Sequence, residues 1–213
     1  MGVEMPIVEQ TYGVLYEGKS AREAMNELMV RPARREMHFL AMPKATLACL
    51  GPVVGRETRL VILGSFPGEA SLAAQQYYAH PRNHFWRILS GIWGEDLVSL
   101  PYPARLDALR ARRVGLWDVY ASCNRQGSLD SAIRDAVPNP LGRLLEAAPS
   151  LVAVAHNGGE SARSMKLTRA LGVAVHRLPS SSPANASWSL ARKIDAWRVV
   201  LDEVGVTRWP GSG

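Results

Sequence analysis

"RLVILGSFPGEASL", Arg59 to Leu72, opens as a short apolar run, breaks at a glycine-proline turn and continues into a helical pattern. Three further runs have the same character: "VGLWDVY" (114–120), "LVAVAHNG" (151–158) and "GVAVHRLPS" (172–180), each followed by turn residues. Short runs rich in β-branched residues and bounded by turns read as strands buried on both faces. Between them lie helical patterns. Phe85, Ile88, Leu89 and Ile92 make one apolar stripe, and Leu190, Ile194, Trp197 and Leu201 make another. The alternation predicts an α/β fold with three layers, α/β/α, around a four-stranded parallel central sheet. Ligands of such sheets bind beyond the carboxyl ends of the strands, so "GSFPG", "DVY", "HNGG" and "PSSSPAN" are expected to converge on one cleft.

A chain of 213 residues fits one ordinary domain with an appendage. Its 25 Lys and Arg against 19 Asp and Glu give a net charge of +6, an excess that favours polyanionic partners without requiring them. Cys49 and Cys123 are far apart in sequence and offer no paired ligand spacing, which argues against a zinc site or iron–sulfur cluster and for a reduced cytoplasmic setting. No apolar run approaches the length of about twenty residues that a membrane span needs, and "MGVEMPIVEQ" lacks the layout of a signal peptide. No membrane partner is expected.

The N-terminal segment has a different character. Ser20 and Glu23 form a capping box for a short helix ending before Pro32. "GVEMPIVEQTYGVLYEGKSAREAMNELMVR", Gly2 to Arg31, resembles the extreme C-terminal end of NAD-dependent glycerol-3-phosphate dehydrogenases, with none of that family's cofactor fold beside it. Residues 1–36 are therefore expected to be a fusion remnant, or the result of an early start, without dehydrogenase chemistry. The alternative is a native helical extension packed on the domain. Residues 37–58 read as linker and lead-in, 59–206 as the catalytic domain and 207–213 as a tail.

Three motifs can carry chemistry. In the first, Pro81 is expected to start a helix whose first turn contains Asn83, about 200° around the axis from core-facing Phe85 and so toward a cleft. A local cap is the competing role for that amide. In "HNGG", His156 and Asn157 end a strand, and the paired glycines allow close backbone approach to a ligand. The Asn157 amide, both donor and acceptor, suits hypoxanthine, uracil and thymine edges equally, and an ordinary Asn-Gly turn is the alternative. In "LPSSSPANAS", Leu178 to Ser187, small hydroxyls precede a helix bearing Arg192 and Lys193, an arrangement suited to phosphate or to simple capping.

No G-x-S-x-G elbow, Walker lysine, H-E-x-x-H or G-x-G-x-x-G occurs. His80 and His84 stand four residues apart without an evident third ligand, so neither metal nor cofactor is expected.

Together, "LGSFPGEASL", "QYYAHPRNHFW", "HNGGESA" and "SSSPANAS" resemble the uracil-DNA glycosylase superfamily, and most closely its hypoxanthine-DNA (deoxyinosine) glycosylase branch, over about Pro52 to Val204. The resemblance implies a uracil-DNA glycosylase-like fold and a monofunctional enzyme of base excision repair that flips a deaminated base from DNA and leaves an abasic site. It implies catalytic roles for Asn83, which would hold water, and Asn157, which would receive charge on the base. Gly64, Ser65, Phe66, Tyr78, His156 and Gly158 would surround the base, with Tyr78 stacking on it. Arg82, Ser181, Ser182, Pro183, Asn185, Arg192 and Lys193 would contact DNA, single- or double-stranded. Mismatch-specific and thymine relatives carry GINPG, with a catalytic asparagine where this chain has Phe66, and Ser180 replaces the third-motif histidine of uracil enzymes. Uracil or mismatched thymine remains an alternative substrate. A non-catalytic nucleic-acid or nucleotide-binding module is the alternative of another class. A monomer in the cytoplasm, associated with the nucleoid, is expected.

Overall fold

The structure, a computed structural model, describes residues 6–30 and 46–207. It divides into two compact units, residues 1–44 and 45–213. The expected lead-in residues 37–45 and the tail from 208 onward lie outside the described residues. In the first unit, α1 (Pro6–Tyr16) precedes α2 (Ala21–Val30). Glu23 N donates to Ser20 Oγ and Ser20 N to Glu23 Oε2, both at 3.2 Å, so the capping box satisfies donors that a helix start leaves open.

The second unit runs β1 (Leu47–Ala48), β2 (Leu60–Gly64), α3 (Glu69–Ala74), α4 (Phe85–Trp93), α5 (Tyr102–Ala111), β3 (Val114–Asp118), β4 (Tyr120–Asn124) and β5 (Arg134–Pro138). It continues through α6 (Leu144–Ala147), β6 (Ala153–Asn157), α7 (Gly159–Ala162), α8 (Met165–Arg169), β7 (Ala174–Leu178) and α9 (Leu190–Val204). The four anticipated strands form one parallel sheet in the order β3-β2-β6-β7. Side chains alternate across it. Leu60 and Ile62 join Phe85, Ile88, Leu89, Trp197 and Leu201 in one core, whereas Val61 and Leu63 join Leu141, Leu144 and Val154 in the other. Two buried faces explain why β2 reads as a continuous apolar run.

A second sheet was not legible in the sequence. β4 leaves the central sheet after Val119 and pairs antiparallel with both β1 and β5. Part of the expected lead-in is thus structural. Val53 also exchanges two 2.8 Å backbone bonds with Leu116, covering the outer edge of β3. No helix among the described residues is long and apolar enough to cross a membrane.

That edge contact depends on Gly115. A β-carbon there would stand 2.8 Å from Val53 O and 3.0 Å from Thr58 Cγ2, whereas one at Gly51 would meet nothing within 4 Å. Overpacking against backbone makes Gly115→Ala destabilising by about 1–3 kcal/mol, and Gly51→Ala should stay within about 0.5 kcal/mol of the parent. Denaturant unfolding of both variants checks this; equal midpoints would refute the edge packing.

Candidate active site

The last residues of all four central strands, Gly64, Asp118, Asn157 and Leu178, line one cleft of about 1300 Å³. The convergence follows from parallel pairing, which delivers every carboxyl end to the same side. "SFPG", "HPRN" and "SSSPAN" form its remaining walls.

Asn157 is the junction of these walls. Its Oδ1 accepts from Ser181 N at 2.9 Å, while its Nδ2 donates to Ser181 Oγ at 2.9 Å and Tyr78 OH at 3.1 Å. Ser181 O in turn accepts from His84 N at 2.9 Å. Ser181 is therefore a buried brace between two motifs rather than the DNA contact expected of it. Gly158 adopts φ +99°, and a β-carbon there would lie 2.9 Å from Ser180 Cβ. Its N–H points inward to His156 O and Leu178 O, both at 3.1 Å, so it adds close packing and not a free donor.

His156 does not reach the base site. It is fully buried, with Nδ1 2.9 Å from Ser161 Oγ and Nε2 2.8 Å from Thr168 Oγ1. The odd positions of β6 face the cleft end differently from the even ones, and His156 points into the sheet's covering layer. Burial, partly opposed by the Ser161 hydrogen bond, lowers its pKa to about 4.

Asn83 lines the cleft, but Pro81 does not begin the helix as expected: α4 starts at Phe85. The physical reason is local. Asn83 Oδ1 accepts the Phe85 N–H at 3.0 Å, a side-chain bond that replaces a helical turn. With that oxygen engaged, Nδ2 is the end of the amide left to hold a ligand or water. Tyr78, at φ +55°, stacks on Phe85 with ring centroids 3.9 Å apart and planes within 11°. One face of Tyr78 is thereby covered, and the pair stiffens the wall that carries its hydroxyl.

Of the expected DNA contacts, Arg82 and Pro183 are exposed at the cleft, and Ser182 and Asn185 are half-buried in its wall. Arg192 lies over Trp188, its guanidinium carbon 4.6 Å from the ring centroid. Lys193 is fully buried and cannot serve as a surface cation. It stands one turn before Trp197 on the inward face of α9, and its Nζ donates to Asn185 O at 3.1 Å and contacts His84 Nδ1 at 3.4 Å. Burial lowers the pKa of both Lys193 and His84.

Sequence reasoning missed the acids of the cleft. Asp118 is 3% exposed, and its Oδ1 lies 2.4 Å from where a Gly64 β-carbon would be, with Tyr78 OH 3.4 Å from the same point. Only a glycine at position 64 admits this carboxyl. Its Oδ2 has no hydrogen-bond partner. Burial foremost, with the neighbouring Asp130, pushes its pKa up to about 7 against the opposing pull of Arg125. Ser65 Oγ donates to Asp130 Oδ1 at 2.6 Å, and Phe66 packs buried beneath the Arg125 guanidinium, which is 5.1 Å from its ring centroid. The signal available in the sequence was Asp118's place at the end of an apolar strand, beside the cleft. Arg177, exposed at the rim, was missed as well.

A family profile described as the uracil DNA glycosylase superfamily matches residues 52–201. The chain belongs to that superfamily. A hypoxanthine DNA glycosylase from Methanosarcina barkeri is 43% identical over 142 residues, covering 67% of this chain and 90% of the relative. The solution structure of a candidate uracil DNA glycosylase from Methanosarcina acetivorans superposes with a TM-score of 0.68 at 36% identity, covering 75% of this chain and 99% of that one. The superfamily match leaves the N-terminal segment outside. A separate, short likeness also holds: a glycerol-3-phosphate dehydrogenase from Citrifermentans bemidjiense is 61% identical over 36 residues, 17% of this chain and only 11% of that protein.

Two buried titratable groups give the unit opposed responses to pH. His156 stays neutral down to about 4 while an unfolded imidazole protonates near its ordinary 6.5, so its contribution is complete above 6.5 and drains away as pH falls toward 4. Asp118 keeps its proton up to about 7 while the unfolded carboxyl loses it near 3.8, so its contribution is present at low pH and is lost as pH rises through 7. Asp118→Asn removes the second term. Denaturant titrations at pH 4.5 and 6.5 should show the variant losing more stability on acidification than the parent, by up to about 1.4 kcal/mol per pH unit. Equal losses would refute the assignment of a buried, protonated Asp118.

Proposed function

We propose that the protein is a monofunctional DNA glycosylase that removes hypoxanthine from deoxyinosine in DNA by water attack, leaving an abasic site for base excision repair. The observation that carries this reading is the pair of amides, Asn83 and Asn157, placed in one cleft at the strand ends beside the Tyr78–Phe85 stack. The name of the Methanosarcina barkeri relative supports hypoxanthine as the base.

Breaking the N-glycosidic bond develops positive charge on the sugar and negative charge on the departing base, so rate comes from positioned dipoles and orientation. A deaminated base in a weak pair costs less to extrude from the duplex than a normal one. Asn83 Nδ2 holds the attacking water. Asn157 aligns Tyr78 and Ser181 against the extruded base, and Oδ1 retains a lone pair for an N–H of its edge. Among the described residues the cleft wall holds no lysine, the side chain that a Schiff-base lyase step would need. Arg82, Arg177 and Arg192 supply phosphate contacts, which makes binding salt-dependent. The enzyme acts as a monomer, in the cytoplasm with the nucleoid.

Single-turnover assays on deoxyinosine, deoxyuridine and undamaged duplexes test the reading. The protein should release hypoxanthine, and Asn83→Ala should slow release by about 10²–10³ while binding the deoxyinosine duplex nearly as the parent does. Release of uracil alone would transfer the assignment to the uracil branch. Binding without release of any base would support a non-catalytic module.

The N-terminal unit takes no part in this chemistry. A chain beginning at Met37 should excise hypoxanthine at the full-length rate; a folded truncated protein without activity would refute the remnant reading.

A further inference from the structure

The cleft contains one chemically capable group that the two-amide reading leaves without a task. We propose that Asp118 is a catalytic residue of this site, donating a proton from its carboxyl group to a ring nitrogen of the departing purine. The inference rests on the glycosylase reading above and adds to it a leaving-group acid.

Position is the first support. Asp118 Oδ1 and Tyr78 OH flank the same point, 2.4 Å and 3.4 Å from the β position of Gly64, and Tyr78 OH is 3.1 Å from Asn157 Nδ2. Carboxyl, phenol and amide thus stand close together at the strand ends. Asn83, by contrast, is anchored to the start of α4. Asp118 therefore belongs with the groups assigned to the base, not with the water holder.

The second support is the unpartnered oxygen. Asp118 lines the cleft yet is only 3% exposed, and its Oδ2 has no partner within the protein. A buried polar atom left without a bond costs about 1–3 kcal/mol, and more when it is charged, so this setting favours the neutral carboxyl. The groups facing this carboxyl are Arg125 at the end of β4, Asp130 beyond it, Tyr78 and Tyr77 before α4, and Cys49 after β1. Arg125 forms no ion pair with it: its Nη2 donates to Pro67 O, and its Nε and Nη1 have no hydrogen-bond partner. Burial and the like charge of Asp130 outweigh that cation and raise the Asp118 pKa to about 7, so the protonated acid predominates below that pH. A protonated acid is a proton donor and not a base.

The step balances as follows. The C1′–N9 bond breaks and its electron pair passes to the purine, while the Asp118 proton moves to a ring nitrogen, N3 or N7, of that base. Water adds to C1′ through oxygen and releases a proton to solvent, from which Asp118 is reprotonated. Deoxyinosine and water become hypoxanthine and an abasic sugar. An acid that serves ring nitrogens in this way favours purine leaving groups.

The test is the pH dependence of single-turnover hypoxanthine release between pH 5.5 and 9, for the parent and for Asp118→Asn, with binding to a 2′-fluoro-deoxyinosine duplex that resists cleavage. The parent rate should be level at low pH and fall about tenfold per pH unit above about 7. Asp118→Asn should bind within a few-fold of the parent, excise about 10²–10⁴ more slowly at pH 6 and lose the alkaline fall. A parent rate that is level or rising above pH 7, or an Asp118→Asn rate within threefold of the parent at pH 6, overturns the proposal. The parent profile alone decides the matter if the variant does not fold. Failure to release hypoxanthine at any pH would instead remove the glycosylase reading itself.

Discussion

The hydrogen bonds of the Asn157 side chain hold the site together. Asn157 ends β6, Ser181 belongs to the loop between β7 and α9, and Tyr78 precedes α4, yet the one Asn157 amide binds the other two within 2.9–3.1 Å. Ser181 passes the connection to His84, and Lys193 joins His84 to Asn185 from the opposite side. Each bond alone contributes about 1 kcal/mol. As a partly buried network they fix the relative positions of three segments far apart in sequence, which is what a preorganised site requires.

The same region departs from what stability alone would select. Asp118, Arg125 and Lys193 are all buried, and Arg125 leaves Nε and Nη1 without partners. Burying ionisable groups without full pairing is destabilising, and an apolar replacement would often cost less. The surrounding sheet offsets this with two complete cores, in which Leu60, Ile62, Val61 and Leu63 are each fully buried. Asp118 in the cleft and Arg125 facing it are buried and incompletely paired, and ionisable groups kept in such a state by an otherwise consistent fold are characteristic of a functional site.

The fold was legible in the sequence wherever hydrophobic period decided it. Four apolar runs, two helical stripes and the Ser20–Glu23 capping box all correspond to elements of the structure. β1 and β5 were not legible, because β1 is two residues long and β5, "RDAVP", is mostly exposed and carries no alternation. The start of α4 was misplaced, since a proline that suits a helix start gave no sign that Asn83 would take the Phe85 N–H.

Within the site, the sequence by itself determined which motifs meet: parallel strands bring their carboxyl ends to one side whatever their order. Only the tertiary structure decided what each side chain does there. Lys193 and Arg192 are neighbours in sequence, but α9 turns one into the core beside Trp197 and the other out over Trp188. His156 and Asn157 are neighbours too, and the strand sends the imidazole to Ser161 and Thr168 while the amide faces Tyr78. Asp118 became a candidate through its distance from Gly64, 54 positions away along the chain by their numbering. Local periodicity fixes which elements form and which way they run, whereas protonation and hydrogen bonding depend on neighbours that only the packing of those elements supplies.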